Sequence, residues 1–319
     1  MTDMQAATLP WLTPTAGEID PAARTLLEFM AARAKAPPST DGKQSNGNLS
    51  GRPEPIEAVE DLLIDGAEVP IHAQLYRPAG SASGPLLLWF HGGGFVGGGQ
   101  GSHDVPLRAL ANRAACGILA VDYRLAPADP FPAAVNDAAA SIGWAATHAA
   151  SLGFDPARIM VGGDSAGGNV ATVGAMLARD QGLGPVVLQL LVYPDADARA
   201  GSNQPSWQQN DGIVLDRKGK EVVLDQYLPP GIDRTQPHAS PALAPLEALH
   251  GLPPTLVVTA EFDPQRDEGE LYADRLREAG VRVALVRYPG MIHGFMQMAG
   301  VLKQGRALID QLAAAIRSS

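Results

Sequence analysis

Apolar and polar positions change period several times along the chain, and each change predicts an element. Residues 22–34 place Leu26, Leu27, Met30 and Ala31 at helical spacing, which predicts an amphipathic helix. Residues 36–53 have no period and are rich in Pro, Ser, Gly and Asn, so they read as a linker that tethers this helix to the rest. Two strands of alternating character follow over 55–65 and 68–77, then continuous apolar runs at 85–90, 117–122, 157–162, 186–193, 255–260 and 281–287. Helical patterns over 105–115, 132–150, 167–180 and 267–280 lie between most of the apolar runs. Strands apolar on both faces need cover on both faces. The expected fold is therefore α/β: a mostly parallel eight-stranded sheet, opened by an antiparallel pair, with helices on either side. Residues 197–240 break the alternation, being too long for an ordinary connection, and read as an inserted element that with the N-terminal helix would form a lid.

Composition narrows the class. At 319 residues with 45% hydrophobic and 18% charged side chains, the chain can bury a large core, and none of its apolar runs is long enough to span a membrane. The first twenty residues carry acids and prolines and no basic region, unlike a signal peptide, so a cytoplasmic location is expected. A net charge of −10 and a pI near 5.1 argue against a nucleic-acid partner and fit neutral or apolar small molecules. The single cysteine, Cys116, precedes an apolar strand and reads as a packed core residue. The seven histidines lack metal-ligand spacing, so no metal is expected.

The candidate chemistry sits where apolar runs end. The run at 157–162 leads into Gly163, Asp164, Ser165, Ala166 and Gly167, and then into a helix. A G-x-S-x-G turn between strand and helix exposes the serine hydroxyl in a strained bend, which makes Ser165 a candidate nucleophile. The competing reading of the glycines, a dinucleotide or phosphate loop, lacks its acidic residue or its Lys-Ser/Thr, so no cofactor is expected. Such a serine needs a base, and the base an acid, in the chain order Ser, acid, His. Asp263 follows the run at 255–260 and His293 follows the run at 281–287. Glu261, Asp267 and Asp195 are the competing acids, with Asp267 better read as a first-turn acid of the helix after it.

The segment HGGGFVGGG at 91–99 follows the apolar run at 85–90. Its position after the third strand suits a loop whose bare backbone donates N–H groups to an oxyanion. Gly93 and Gly94, with Ala166, are the candidate donors, and His91 is read as a scaffold that orders the loop. Gly97 and Gly99 are expected only to loosen it, so that Gly99→Ala would be mild. His72, His103, His148, His238 and His250 show no partner pattern and read as solvated or packing residues. Phe95, Trp207, Ile213, Val214 and Leu215 are candidate pocket residues, with Leu26, Phe29 and Met30 of the N-terminal helix beside them, and packing between cap and core is the alternative reading for the cap positions.

HGGGFVGG at 91–98, VDYRLAP at 121–127, FPAAVNDA at 131–138, GDSAGGN at 163–169, DPQRDEG at 263–269 and HGF at 293–295 resemble the hormone-sensitive-lipase-like family of bacterial carboxylesterases. The likeness spans about residues 55–319. It implies an α/β-hydrolase core, a helical cap, no cofactor, hydrolysis of short to medium acyl esters, and a homodimer through an edge strand. It matches Ser165, Asp263 and His293 to the family's triad, and Gly93, Gly94 and Ala166 to its oxyanion hole, while Gly98 stands where the family often has glycine. Two positions depart: Ala128 stands where the family usually has Glu, which puts a loop-bracing carboxylate in question, and Gln265 where it usually has Leu. The expected organisation is a cap segment and linker over 1–50, an α/β-hydrolase catalytic core over 51–196 and 241–319, and an inserted cap segment over 197–240. A serine carboxylesterase acting on small-molecule esters is the expected function. An amidase or acyltransferase with the same triad, or a non-catalytic binding protein on the same fold, stays open beside it.

Overall fold

Both alternating segments and all six apolar runs become strands: β1 (Ala58–Ile64), β2 (Ile71–Arg77), β3 (Leu86–Phe90), β4 (Gly117–Asp122), β5 (Ile159–Asp164), β6 (Leu188–Val192), β7 (Thr255–Phe262) and β8 (Val283–Ile292). A computed structural model describes residues 17–34, 49–99, 101–199 and 203–319 of the chain. The eight strands form one sheet in the order β1-β2-β4-β3-β5-β6-β7-β8. Only β2 runs against its neighbours, pairing antiparallel with both β1 and β4, and every other pairing is parallel.

The helices are α1 (Pro21–Ala34), α2 (Asp104–Ala114), α3 (Ala133–His148), α4 (Ala166–Gln181), α5 (Pro205–Asn210), α6 (Arg217–Tyr227), α7 (Leu246–Leu249), α8 (Arg266–Glu278) and α9 (Lys303–Arg317). Residues of β3 alternate between two cores. Leu86, Leu88 and Phe90 pack with α3, α4 and α8, whereas Leu87 and Trp89 pack with α2 and α9 on the other face. All five side chains of β3 are buried, which explains why a central parallel strand carries no polar position. Cys116 is buried, and burial pushes its thiol up to about 12, so it packs as a small hydrophobe.

Two features differ from the sequence expectation. β8 continues through Pro289 and Gly290 to Ile292, because a register shift between Ala260 and Phe262 lets Phe262 pair with Ile292 across the irregular stretch. The N-terminal helix is docked on the core, not merely tethered to it. Ala23 and Leu26 of α1 are buried, the Asp20 N–H donates to the Gly290 carbonyl at 3.0 Å, and Gln304 Nε2 donates to Asp20 Oδ2 at 2.9 Å. Most of the expected linker, through residue 48, lies outside the described residues, as do residues 1–16. Among the described residues no helix is long and apolar enough to cross a membrane.

Candidate active site

β5 runs directly into the most strained bend of the site. Ser165, between β5 and α4, has φ 55° and ψ −125°, a conformation that costs a side-chain-bearing residue on the order of 1–3 kcal/mol. The turn closes because its flanks carry no side chains: a Cβ on Gly163 would lie 2.3 Å from the Gly167 carbonyl oxygen, and one on Gly167 would lie 2.0 Å from that of Phe90. Backbone bonds then fix the strained residue. Its N–H donates to the Val192 carbonyl at 2.9 Å, and its carbonyl accepts from Gly168 at 2.9 Å and Asp195 at 3.0 Å.

Loops after β7 and β8 bring the two other chemical groups to this bend. His293 Nε2 lies 2.9 Å from Ser165 Oγ, and His293 Nδ1 lies 2.7 Å from Asp263 Oδ2. A carboxylate only accepts, so Nδ1 carries the proton and Nε2 offers its lone pair to the serine hydroxyl. Asp263 is fully buried, and its other oxygen accepts the Gln265 N–H at 2.8 Å, which fixes the plane of the carboxylate. The competing acids have other partners. Glu261 accepts the Gly290 N–H at 2.7 Å, Asp267 accepts the Ser206 N–H at 2.7 Å from the first turn of α8, and Asp195 holds Lys220.

The glycine loop after β3 approaches the same point. His91 Nδ1 donates to the Gly92 carbonyl at 3.0 Å, the Gly92 N–H donates to Asp164 Oδ1 at 3.1 Å, and the Gly93 carbonyl accepts from Val96 at 3.3 Å and Gly97 at 3.0 Å. These bonds leave the next two N–H groups uncommitted. Among the described residues, no acceptor is found for the N–H of Gly93, Gly94 or Ala166. Desolvation lowers His91 to about 4, so its neutral ring serves as the scaffold, stacked on Tyr123 with centroids 4.5 Å apart.

The second glycine group is more constrained than its sequence suggests. Gly98 has φ 99° and a Cβ there would fall 2.3 Å from His91 Nδ1, while Gly99 has φ 123°. Gly99→Ala is therefore strained rather than mild, and Gly97 is the tolerant position, with no positive φ and its nearest neighbour 3.6 Å away.

A cavity of about 240 Å³ opens beside Ser165 and Gly94, and the insertion supplies Val214, Leu215 and Val223 to its wall. Phe95 and Trp207 correct the sequence expectation, since neither lines this cavity. Phe95 is buried and stacks on Tyr227 of α6 at 3.9 Å, and Trp207 is fully buried with the Lys220 ammonium 5.1 Å from its ring. Both join the insertion together or to the core. The insertion is also tied to the loop of the acid: Ser206 Oγ donates to the Pro264 carbonyl at 2.7 Å, and Asn210 Nδ2 to that of Asp263 at 3.3 Å.

His103 departs from its expected solvated or packing role. It is buried, and its Nε2 lies 2.7 Å from Asp164 Oδ1, the oxygen that also holds Gly92. The sequence signal was the acid immediately before the nucleophile, whose partner, 61 positions away, only the fold reveals. Other carboxylates hold Arg124, four positions before Ala128. Asp137 and Glu68 each reach the Arg124 guanidinium at 2.8 Å, beside Tyr123, whose hydroxyl donates to the His91 carbonyl at 2.6 Å.

Comparison with known proteins agrees with this geometry. Residues 87–297 match a family described by the α/β-hydrolase fold. The carboxylesterase NlhH of Mycobacterium tuberculosis is 40% identical over 297 residues, covering 89% of this chain and 91% of its own. The ethyl acetate hydrolase of Pseudomonas putida is 36% identical over 270 residues, covering 82% of this chain and 83% of its own. A hyperthermophilic esterase from the archaeon Pyrobaculum calidifontis superposes with a TM-score of 0.86 at 41% identity, over 95% of this chain and 99% of its own. The chain thus belongs to the hormone-sensitive-lipase-like α/β-hydrolases and is a carboxylic ester hydrolase.

Proposed function

We propose that Ser165 is the nucleophile of a two-step ester hydrolysis, with His293 as its base and Asp263 as the group that orients the base. The observation that carries this reading is the unbroken chain from Ser165 Oγ to His293 Nε2 at 2.9 Å and from His293 Nδ1 to Asp263 at 2.7 Å, at the edge of a cavity. As Oγ attacks the ester carbonyl, its proton passes to Nε2, and Asp263 stabilises the imidazolium that forms. The carbonyl oxygen, now negative, takes the free N–H groups of Gly93, Gly94 and Ala166. The alcohol leaves with the proton from Nε2. Water then gives a proton to the same nitrogen and attacks the acyl group on Oγ, and the acid leaves as Nε2 returns that proton to Oγ.

Short to medium acyl esters fit the cavity volume of about 240 Å³ and its aliphatic Val214, Leu215 and Val223. The similarity to an ethyl acetate hydrolase supports the short end of that range. In this reading residues 197–240 are the cap over Ser165, joined by the segment at 1–50, and residues 51–196 and 241–319 are the catalytic core. A homodimer through an edge strand and a cytoplasmic location complete it, the first carried by the family resemblance and the second by the N-terminal sequence. Mass spectrometry of a quenched reaction with p-nitrophenyl butanoate should find the butanoyl group on Ser165. Ser165→Ala should lose roughly 10⁵-fold or more in kcat. A Ser165→Ala enzyme with full activity would overturn the proposal.

A further inference from the structure

The cavity beside Ser165 has two unlike walls. One is aliphatic, formed by Val214, Leu215 and Val223. The other is polar, formed by Asp195, Lys220 and Gln265, whose exposures are 6%, 8% and 4%. It begins next to the nucleophile, since the Asp195 N–H donates to the Ser165 carbonyl. Lys220 Nζ, reaching down from α6, donates to Asp195 Oδ1 at 3.2 Å and to the Glu268 carboxylate at 3.1 and 3.2 Å. Gln265 Nε2 donates to Asp195 Oδ2 at 2.9 Å, an orientation the acceptor-only carboxylate imposes on the amide. The position is the one where the family resemblance expects Leu.

Donors and acceptors in this wall do not balance. The ammonium is engaged by two carboxyl groups, and Gln265 Nε2 gives one of its N–H groups to Asp195. One buried acceptor is left over: Gln265 Oε1 has no partner among the described residues. Burial pushes the Glu268 carboxyl well above its ordinary range, so the Asp195 carboxylate and the Lys220 ammonium offset one another. An alkyl chain laid on such a wall displaces water and returns no hydrogen bond, whereas a substrate hydroxyl or ammonium supplies the missing donor.

We propose that this polar wall makes the enzyme selective for esters that carry a hydrogen-bond donor, a hydroxyl or an ammonium, a few bonds from the scissile carbonyl. Gln265 and Asp195 are the specificity-determining residues. The inference rests on Ser165 being the nucleophile, because that places the wall beside the scissile bond.

The test compares kcat/KM for matched esters. Ethyl 3-hydroxybutanoate and ethyl 3-aminobutanoate are set against ethyl butanoate, and 2-hydroxyethyl butanoate against propyl butanoate. At least one donor-bearing ester should exceed its alkyl match by about tenfold. The hydroxyl and amino arms distinguish the donor, and the acyl and alcohol arms the side of the ester it occupies. Gln265→Leu should bring the ratio close to one, chiefly by losing the donor-bearing ester. Asp195→Asn should reduce it most for the amino ester. Should Gln265→Leu fail to fold, the wild-type ratios and Asp195→Asn decide alone. No preference in any wild-type arm overturns the proposal, as does a preference that survives both substitutions. Hydrolysis of ethyl butanoate that Ser165→Ala abolishes, with no donor preference, would remove this inference and leave the proposed function standing. Hydrolysis that survives Ser165→Ala would remove the proposed function itself.

Discussion

Among the described residues two serines stand at the end of a His–Asp chain, and only one of these two faces a cavity that could hold a substrate. Ser165 Oγ lies 2.9 Å from His293 Nε2, and the other ring nitrogen is 2.7 Å from Asp263. Ser102 Oγ lies 2.8 Å from His103 Nδ1, whose Nε2 is 2.7 Å from Asp164. With a carboxylate at each far end, the proton order is the same and only the nitrogens are exchanged. What differs is the surroundings. Ser165 is held at φ 55° beside uncommitted N–H groups and a cavity of about 240 Å³. Ser102 is exposed, and the cavity next to it measures about 10 Å³, room for about one water. Asp164 also holds Gly92, so the second chain ends on the loop that would bind the oxyanion. One arrangement opens on a cavity, the other ends on a backbone N–H.

The sharpest way to break this comparison is to neutralise the two acids in turn. Asp263→Asn should lower kcat by roughly 10⁴-fold, because the amide favours the wrong imidazole tautomer. Asp164→Asn keeps an oxygen for Gly92 and should cost about tenfold, the loss of one charge-assisted contact. Steady-state kinetics on one ester suffices, and similar losses from both would erase the distinction.

His103→Ala should come next in size. It leaves Asp164, 3% exposed, with Gly92 as its remaining hydrogen-bond partner among those described, at a cost of about 3 kcal/mol in stability. Urea unfolding measures that cost. The kcat should fall while KM holds, since the Gly92–Gly94 loop matters most once negative charge has formed on the carbonyl oxygen.

Acid should separate the scaffold from the chemistry. Desolvation holds His91 at about 4, below its ordinary 6.5, so its contribution to stability is complete above pH 6.5 and is lost as the pH falls toward 4. Between pH 7 and pH 5 the loss is about 2 kcal/mol. Asp122, raised by burial to about 6, acts in the opposite sense, its contribution being lost as the pH rises from 3.8 through 6. Comparing the wild type with His91→Asn isolates the histidine: the variant keeps a donor near the Nδ1 position and should unfold with a smaller acid penalty over this range. Equal acid sensitivity would show that His91 is not the titrating group.

Ser102→Ala carries the smallest expected effect, within about twofold in kcat and 0.5 kcal/mol in stability, as for other exposed side chains. A large loss of turnover would put Ser102 in the chemistry and end the comparison.

Period and punctuation in the sequence were enough for the sheet. Short continuous apolar runs read as strands covered on both faces, and these six, with the two alternating segments, formed within a few residues of where the pattern puts them. Ser165, Asp263 and His293 were legible for a related reason. Each follows the end of a strand, and strand ends in a parallel sheet share one edge. The extension of β8 was not legible, because Pro289 and Gly290 read locally as breakers, and pairing with β7 outweighs that preference.

Contacts between distant segments were beyond the sequence. Nothing near His103 marks Asp164 as its partner, and nothing in α6 marks Lys220 for Asp195 and Glu268. Phe95 and Trp207 were expected at the pocket, yet each is buried, Phe95 against Tyr227 of the insertion and Trp207 beside Lys220. The sequence alone determined which strand ends carry the candidate site and which residue types stand there, since periodicity and strained turns are local. Only the tertiary structure decided which buried charges meet and which serine opens on a cavity, since those depend on how the insertion and the core close over one another.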